Sequence, residues 1–316
     1  MELFSDAVPP KDTFDKTPFS VTVHPYDSPT RQSCTYELTT PGSAGARNAL
    51  VFIGGLTDGP HTTPYIRKIA QELAASEAGK KLGYSVFELR MNSSFHGYGF
   101  KRLSDDVADL SALVKHLREN LKKEKVVFLG HSTGCQDQMA YARALKEGTA
   151  PAVDGFILQG PVSDRECLAP YFKPGEYEKT IAAAEKMIKD GKGDVLMRPE
   201  DLPEMITSPH TAYRWHSLVG FNGDDDFFSS DLPDSRHEAS WSQFTKPVLV
   251  LPSELDECVP KTIDVPKNVA HWKTFCAPGI FSEFSASIPG AGHTVDPLES
   301  RLWMADRVTK FLTSLE

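Results

Sequence analysis

The sequence predicts an α/β protein: a mostly parallel, doubly wound sheet carrying one long helical insertion. Three features of its 316 residues lead there. Short, almost continuously apolar runs alternate with stretches of helical periodicity, as strands buried on both faces of a parallel sheet do. A Gly-x-Ser-x-Gly run joins one of these strands to the helix after it. Residues 161–245 carry no strand signal at all, too long a gap for a plain loop, and predict a cap or lid inserted between two core strands. The whole chain reads as one domain around that insertion.

The apolar runs fall at residues 48–54, 84–89, 126–130, 155–159, 247–251 and 284–288, each bounded by Gly, Pro or polar residues. Ahead of them, residues 20–24 (SVTVH) and 34–38 (CTYEL) alternate like an antiparallel hairpin added to a sheet edge. Val107, Leu110, Val114, Leu117 and Leu121 follow helical spacing, with Ser104 as N-cap and Asp105 and Asp106 in the first turn. Further helices are predicted at residues 133–146, at 177–190 stopped by Gly191, and at the end of the chain through Leu302, Val308, Phe311, Leu312 and Leu315. The insertion also holds an aromatic set, Tyr213, Trp215, Phe221, Phe227 and Phe228.

Composition narrows the function. With 43 acidic and 34 basic side chains the formal charge is −9, so there is no basic field for nucleic acid or an anionic membrane. No run approaches the ~18 apolar residues of a membrane span, and the first residues lack the basic and apolar regions of a signal peptide, which predicts a cytoplasmic protein. Cys34, Cys135, Cys167, Cys258 and Cys276 are odd in number and scattered, fitting neither a disulfide framework nor a zinc motif; they read as reduced, mostly buried thiols. No metal or organic cofactor is expected.

The chemistry lies in Gly130-His131-Ser132-Thr133-Gly134. A serine on a sharp strand-to-helix turn projects at the C-terminal edge of the sheet, and the flanking glycines keep Cβ atoms out of the tight turn. A serine hydroxyl needs a base to take its proton and an anion to orient that base. Asp256, just past the strand at 247–251, is the chosen acid, with Glu254 and Glu257 beside it as alternatives. His293, in the Gly-rich loop before the last helix, is the base. The oxyanion would be received by the amides of Thr133 and of Leu56, with Gly55 the near alternative to Leu56. Asn92 and Ser93, in a polar loop after a strand end, and Asp225 and Asp226, in the acidic run of the insertion, are the candidate substrate contacts.

The order Ser132, Asp256, His293 is that of the α/β-hydrolase fold, which the chain resembles over essentially its whole length. The strings GHSTGCQD (130–137), DDDFFSSDL (224–232) and FIGGLTDG (52–59) are similar to those of fungal siderophore esterases. The resemblance implies a cytoplasmic serine esterase acting on a small-molecule ester, a fusarinine-type hydroxamate siderophore that brings iron as cargo. Ammonium groups on such a substrate would be drawn to the acidic run. A carboxylesterase, lactonase or thioesterase for another bulky substrate, or a binding protein without catalysis, are the other readings of the same fold.

Overall fold

The computed structural model describes residues 17–204 and 206–316. The reading of the first residues as lacking a signal peptide therefore falls outside the described part, apart from its last position. Seven strands form one sheet: β1 (Val21–Pro25), β2 (Cys34–Leu38), β3 (Asn48–Ile53), β4 (Tyr84–Leu89), β5 (Val126–His131), β6 (Gly155–Gln159) and β7 (Val248–Leu251). Their order is β1-β2-β4-β3-β5-β6-β7. β1 pairs antiparallel with β2, and β2 with β4 (Tyr36 opposite Glu88); every later pairing is parallel, with Val51 level with Phe128 and Phe128 level with Phe156. This is the α/β-hydrolase fold, with the predicted hairpin at one edge.

Among the described residues ten α-helices follow in chain order: α1 (Tyr65–Ala75), α2 (Glu77–Leu82), α3 (Leu103–Glu119), α4 (Thr133–Lys146), α5 (Asp164–Leu168), α6 (Glu176–Lys189), α7 (Ala212–Val219), α8 (Asp234–Trp241), α9 (Val265–Lys273) and α10 (Leu298–Ser314). Alternation along β3 sorts the core. Ala49, Val51 and Ile53 pack with α3 and α4, whereas Leu50 and Phe52 pack with α1 and α10. A strand fully buried on both sides needs apolar residues throughout, which is why the strand sequences lack alternation.

The structure corrects several boundaries. Helix α3 begins at Leu103 rather than after Ser104, because the Asp105 carboxylate accepts the Arg102 amide at 3.0 Å and caps the turn two residues earlier. The run at 284–288 forms no strand. Isolated bridges form instead: Phe281, just before the run, with Val248 of β7, and Ile288 with Ser253, just past the end of β7. Serines explain the difference: Ser285 Oγ accepts the Val250 amide at 3.0 Å, and Ser282 Oγ accepts the Phe284 amide at 3.2 Å, so hydroxyls take the place of a backbone ladder. Of the five free thiols only Cys135 is buried; the other four are partly exposed.

Residues 161–245 divide between two cores. Trp215, Leu218, Val219, Ala184 and Met197 build a small separate core, against which Leu56 and Tyr98 of the main body pack. Phe227, Phe228 and Trp241 instead join the main core, and Phe221 lies at the surface. The expected single aromatic cluster is therefore split.

Arg214 of α7 ties the separate core to the main body. Buried on all sides, its guanidinium donates to the Tyr98 carbonyl at 2.8 Å and to Asp225 Oδ1 at 2.6 Å. Removing one member of a buried pair strands the other charge. Arg214→Met should therefore lower unfolding stability by about 3–5 kcal/mol, measured by urea denaturation.

Candidate active site

β5 ends at His131, and α4 begins at Thr133. Ser132 between them has φ 52° and ψ −123°, a strained backbone that holds the side chain out of both elements. Two glycines make this turn possible. A Cβ on Gly130 would meet the Gly134 carbonyl, and one on Gly134 would meet the Ile53 carbonyl of β3. The Ser132 amide donates to the Gln159 carbonyl at 3.0 Å, which locks the turn to β6.

The loop after β3 lies directly against this serine: a Cβ on Gly55 would overlap Ser132 Cβ. Asp58 shapes the loop, its Oδ2 accepting the Gly55 amide at 2.9 Å and its Oδ1 the Thr62 hydroxyl at 2.9 Å. The Gly55 amide is thus occupied. The Leu56 amide meets no acceptor among the described residues, and the Thr133 amide lies in the first turn of α4, where no intrahelical acceptor exists. This geometry favours Leu56 over Gly55 as an oxyanion donor.

On the other side of the serine, Asp256 Oδ2 lies 2.9 Å from His293 Nδ1, and Asp256 Oδ1 accepts the Cys258 amide at 3.0 Å. Both alternatives for the acid have other partners. Glu257 accepts the His293 backbone amide at 2.7 Å, and Glu254 accepts that of Gly290 at 2.7 Å, so these carboxylates hold the histidine loop rather than the imidazole. The His293 ring sits 4.8 Å, centroid to centroid, from the ring of His131, the residue before the serine. Ser132 Oγ is not hydrogen-bonded to His293 here; in such sites that contact commonly tightens with substrate.

Burial alone would lower the pKa of His293, but Asp256 and then Glu257 outweigh it and raise the imidazole to about 9. His131 goes the other way: burial, reinforced by the neighbouring His293, lowers it to about 4 and keeps it neutral. Its tautomer follows from Gln159. Gln159 Nε2 donates to Ser253 Oγ and to the His293 carbonyl, both at 3.2 Å, so Gln159 Oε1 is the acceptor and His131 Nδ1, 2.6 Å away, carries the proton. Tyr65 donates to the same Oε1 at 3.1 Å.

Gln159 therefore joins the nucleophile turn, the histidine loop and the acid loop, a role absent from the sequence reading. A signal for it existed: an amide closing the otherwise apolar strand GFILQ, at the edge where ligands bind.

The proposed substrate contacts are placed differently from one another. Ser93 lines a cleft with Gly54, Gly55 and Asp58. Asn92 turns to Asp109, donating from its backbone at 2.9 Å and its side chain at 2.7 Å. The acidic run is a correction. Asp225 is buried against Arg214 and Ser217, and Asp226 is buried against Arg165, Ser229 and the Asn222 amide. Their charge is neutralised inside the protein because burying an unpaired carboxylate costs several kcal/mol. Only Asp224 of the three is exposed, and it bonds the Tyr213 hydroxyl.

A strand-turn-helix serine, an Asp-His pair and a loop that leaves the Leu56 amide unengaged, at the C-terminal edge of a parallel sheet, define the chain as an α/β hydrolase. Residues 12–313 match the family described as "Protein of unknown function (DUF1749)", and the chain belongs to that family. It is 28% identical to fusarinine C esterase sidJ of Aspergillus fumigatus over 89% of this chain and 93% of that protein. It is 31% identical to a UPF0613 protein of Schizosaccharomyces pombe, over 85% and 87%. Siderophore hydrolase EstB from Aspergillus fumigatus superposes with a TM-score of 0.76 at 27% identity, over 95% of this chain and 99% of that one. No helix among the described residues is long and apolar enough to cross a membrane.

Two pH effects follow. If His293 is the general base it must be neutral, so kcat/KM should climb about tenfold per pH unit and level off above about 9; Asp256→Asn should then move that limb to lower pH and cut kcat by about 10⁴. A pH-rate series on both proteins checks this. Separately, burial raises Asp164 from 3.8 to about 7, with nearby Asp225 adding to it. A raised folded-state pKa means protons are bound on folding. Stability from this group is complete below the unfolded value and is lost as pH rises toward 7; Asp164→Asn should flatten that decline in urea melts between these limits.

Proposed function

We propose that this protein is a serine esterase that works through an acyl-enzyme, and that its substrates are fusarinine-type hydroxamate siderophores cleaved in the cytoplasm. The observation that carries the reaction type is the Asp256–His293 pair at 2.9 Å beside a serine held at positive φ. The substrate class rests on relatives named for siderophore hydrolysis at 27–28% identity across most of the chain.

Ser132 Oγ attacks the ester carbonyl carbon while His293 Nε2 takes its proton. Asp256 keeps the Nδ1 proton in place and stabilises the imidazolium. The carbonyl π pair moves to oxygen, where the amides of Leu56 and Thr133 receive the charge; each such donor is worth on the order of 10²–10³ in rate. Collapse expels the alkoxide, which takes the proton from His293. Water then repeats the sequence on the acyl-enzyme and releases the carboxylic acid. Any iron travels with the hydroxamates and takes no part in bond breaking.

Residues 161–226 would form the lid over this site, since their small core packs on Leu56 of the oxyanion loop. Ser93, facing the cleft beside Gly55, is a substrate contact in this reading; Asn92 supports it through Asp109. With Asp225 and Asp226 engaged internally, discrimination between an aminated and an N-acetylated siderophore cannot depend on their charge.

Ferric fusarinine C, its triacetylated form and a short-chain nitrophenyl ester should be compared by mass spectrometry and absorbance. Siderophore cleavage far more efficient than that of the small ester, lowered by about 10⁴ or more in Ser132→Ala, is the expected outcome. Turnover of the small ester alone removes the siderophore assignment, and activity persisting in Ser132→Ala removes the serine mechanism.

A further inference from the structure

The short helical turn Phe95–Gly99, between β4 and α3, lies between the insertion and the loop that carries the Leu56 amide. The insertion grips the turn through backbone and polar groups. The Thr211 amide donates to the Gly99 carbonyl at 2.9 Å, the Ser208 hydroxyl lies 2.9 Å from His96 Nδ1, and the Arg214 guanidinium donates to the Tyr98 carbonyl at 2.8 Å. Gly99 permits this close approach, since a Cβ there would strike the Pro209 carbonyl.

At the other end of the turn one residue makes the contact. The Phe95 amide donates to the Asp58 carbonyl at 2.8 Å, and the Phe95 ring lies over Gly59, where a Cβ would overlap it. Phe95 has φ 58° and a half-exposed ring, so neither backbone preference nor burial accounts for its placement. Holding a bulky residue in such a conformation costs about 1–3 kcal/mol, which the surrounding contacts must offset. The loop beneath is strained as well, with Thr57 at φ 67° and His61 at φ 71°. Its far end is fixed to the sheet by buried Glu88, whose carboxylate accepts the His61 amide at 3.0 Å and lies 2.6 Å from His61 Nδ1. Its middle, at Asp58 and Gly59, is held down by Phe95.

We propose that Phe95 is a positioning residue for the oxyanion loop, and that the turn Phe95–Gly99 is a strut through which residues 208–214 of the insertion set the placement of the Leu56 amide. The path is continuous. Residues 208–214 hold the turn at its end, Phe95 holds Asp58, and Asp58 Oδ2 takes the amide of Gly55, the neighbour of Leu56. The catalytic consequence rests on the serine-esterase reading, whereas the mechanical link does not. An oxyanion donor acts on charge that exists only in the transition state, so misplacing it lowers kcat and leaves ground-state binding alone.

Hydrogen exchange reads the link without turnover, so the strut and the esterase reading can fail separately. In the full-length protein, Phe95→Ala and Gly99→Ala should each speed amide exchange in peptides covering residues 54–62 by about tenfold or more, with β5 and β6 unchanged. Ser208→Ala breaks the same grip more gently; it should give a smaller increase and serves if Gly99→Ala does not fold. On a short-chain nitrophenyl ester, Phe95→Ala should lower kcat by about 10–100-fold with KM within about twofold, while Phe95→Tyr, which keeps the ring, should retain most of kcat. Gly59→Ala closes a double-mutant cycle: its Cβ displaces the ring, so it should lower kcat in the wild-type protein and add little to Phe95→Ala.

Exchange at residues 54–62 unchanged by Phe95→Ala overturns the strut. So does loosening of residues 208–214 by Gly99→Ala or Ser208→Ala that leaves 54–62 protected. A raised KM at constant kcat in Phe95→Ala would make the ring a substrate contact and overturns its positioning role, as does a Gly59→Ala effect that is equal with and without the ring.

Discussion

The close approach of helix α4 to strands β3 and β5 is the constraint on which the rest of the site depends. Gly130 and Gly134 let the helix start pack directly on the Ile53 carbonyl, and that contact forces Ser132 to positive φ. The strain is held by the ladder on both sides of β5 and by the Ser132 amide on Gln159. Once the turn is set, the Thr133 amide points out of a helix N-terminus and the Gly55–Leu56 loop can lie against the serine without a side chain intervening. The positions of the proposed nucleophile and oxyanion donors are consequences of one packing contact.

Gln159 extends that constraint to the base. Its backbone carbonyl anchors Ser132, and its side-chain amide reaches the His293 carbonyl and Ser253. The same side chain fixes the tautomer of His131, and burial keeps that ring neutral beside His293, so no second positive charge competes there. Glu254 and Glu257 complete the arrangement by holding backbone amides of the histidine loop. Four polar side chains thus position one imidazole, and the Asp256 carboxylate is left free to set its charge.

Buried electrostatics brace the proposed cap internally and, through the Tyr98 carbonyl, tie it to the main body. Arg214 joins α7 to the Tyr98 carbonyl and Asp225, and Arg165 joins α5 to Asp226 and Asp231. Such pairs give little net stability but demand a particular geometry, since any displacement leaves a buried charge unmatched. They place the small core of Trp215 and its neighbours over Leu56, beside the oxyanion donors.

The sequence by itself determined the sheet, because fully buried parallel strands leave continuous apolar runs. It also determined the elbow, because Gly130, Ser132 and Gly134 are a local steric solution written in adjacent residues. Asp256 and His293 were readable from their positions after strand ends, although Glu254 and Glu257 competed until hydrogen bonds separated them. Tertiary structure alone decided what depends on distant partners. It turned Asp225 and Asp226 inward against arginines, replaced the strand at 284–288 with serine contacts, and gave Gln159 its several bonds. Periodicity and turn chemistry act over a few residues, whereas the pairing of buried charges and donors is set by which loops the sheet brings to one edge.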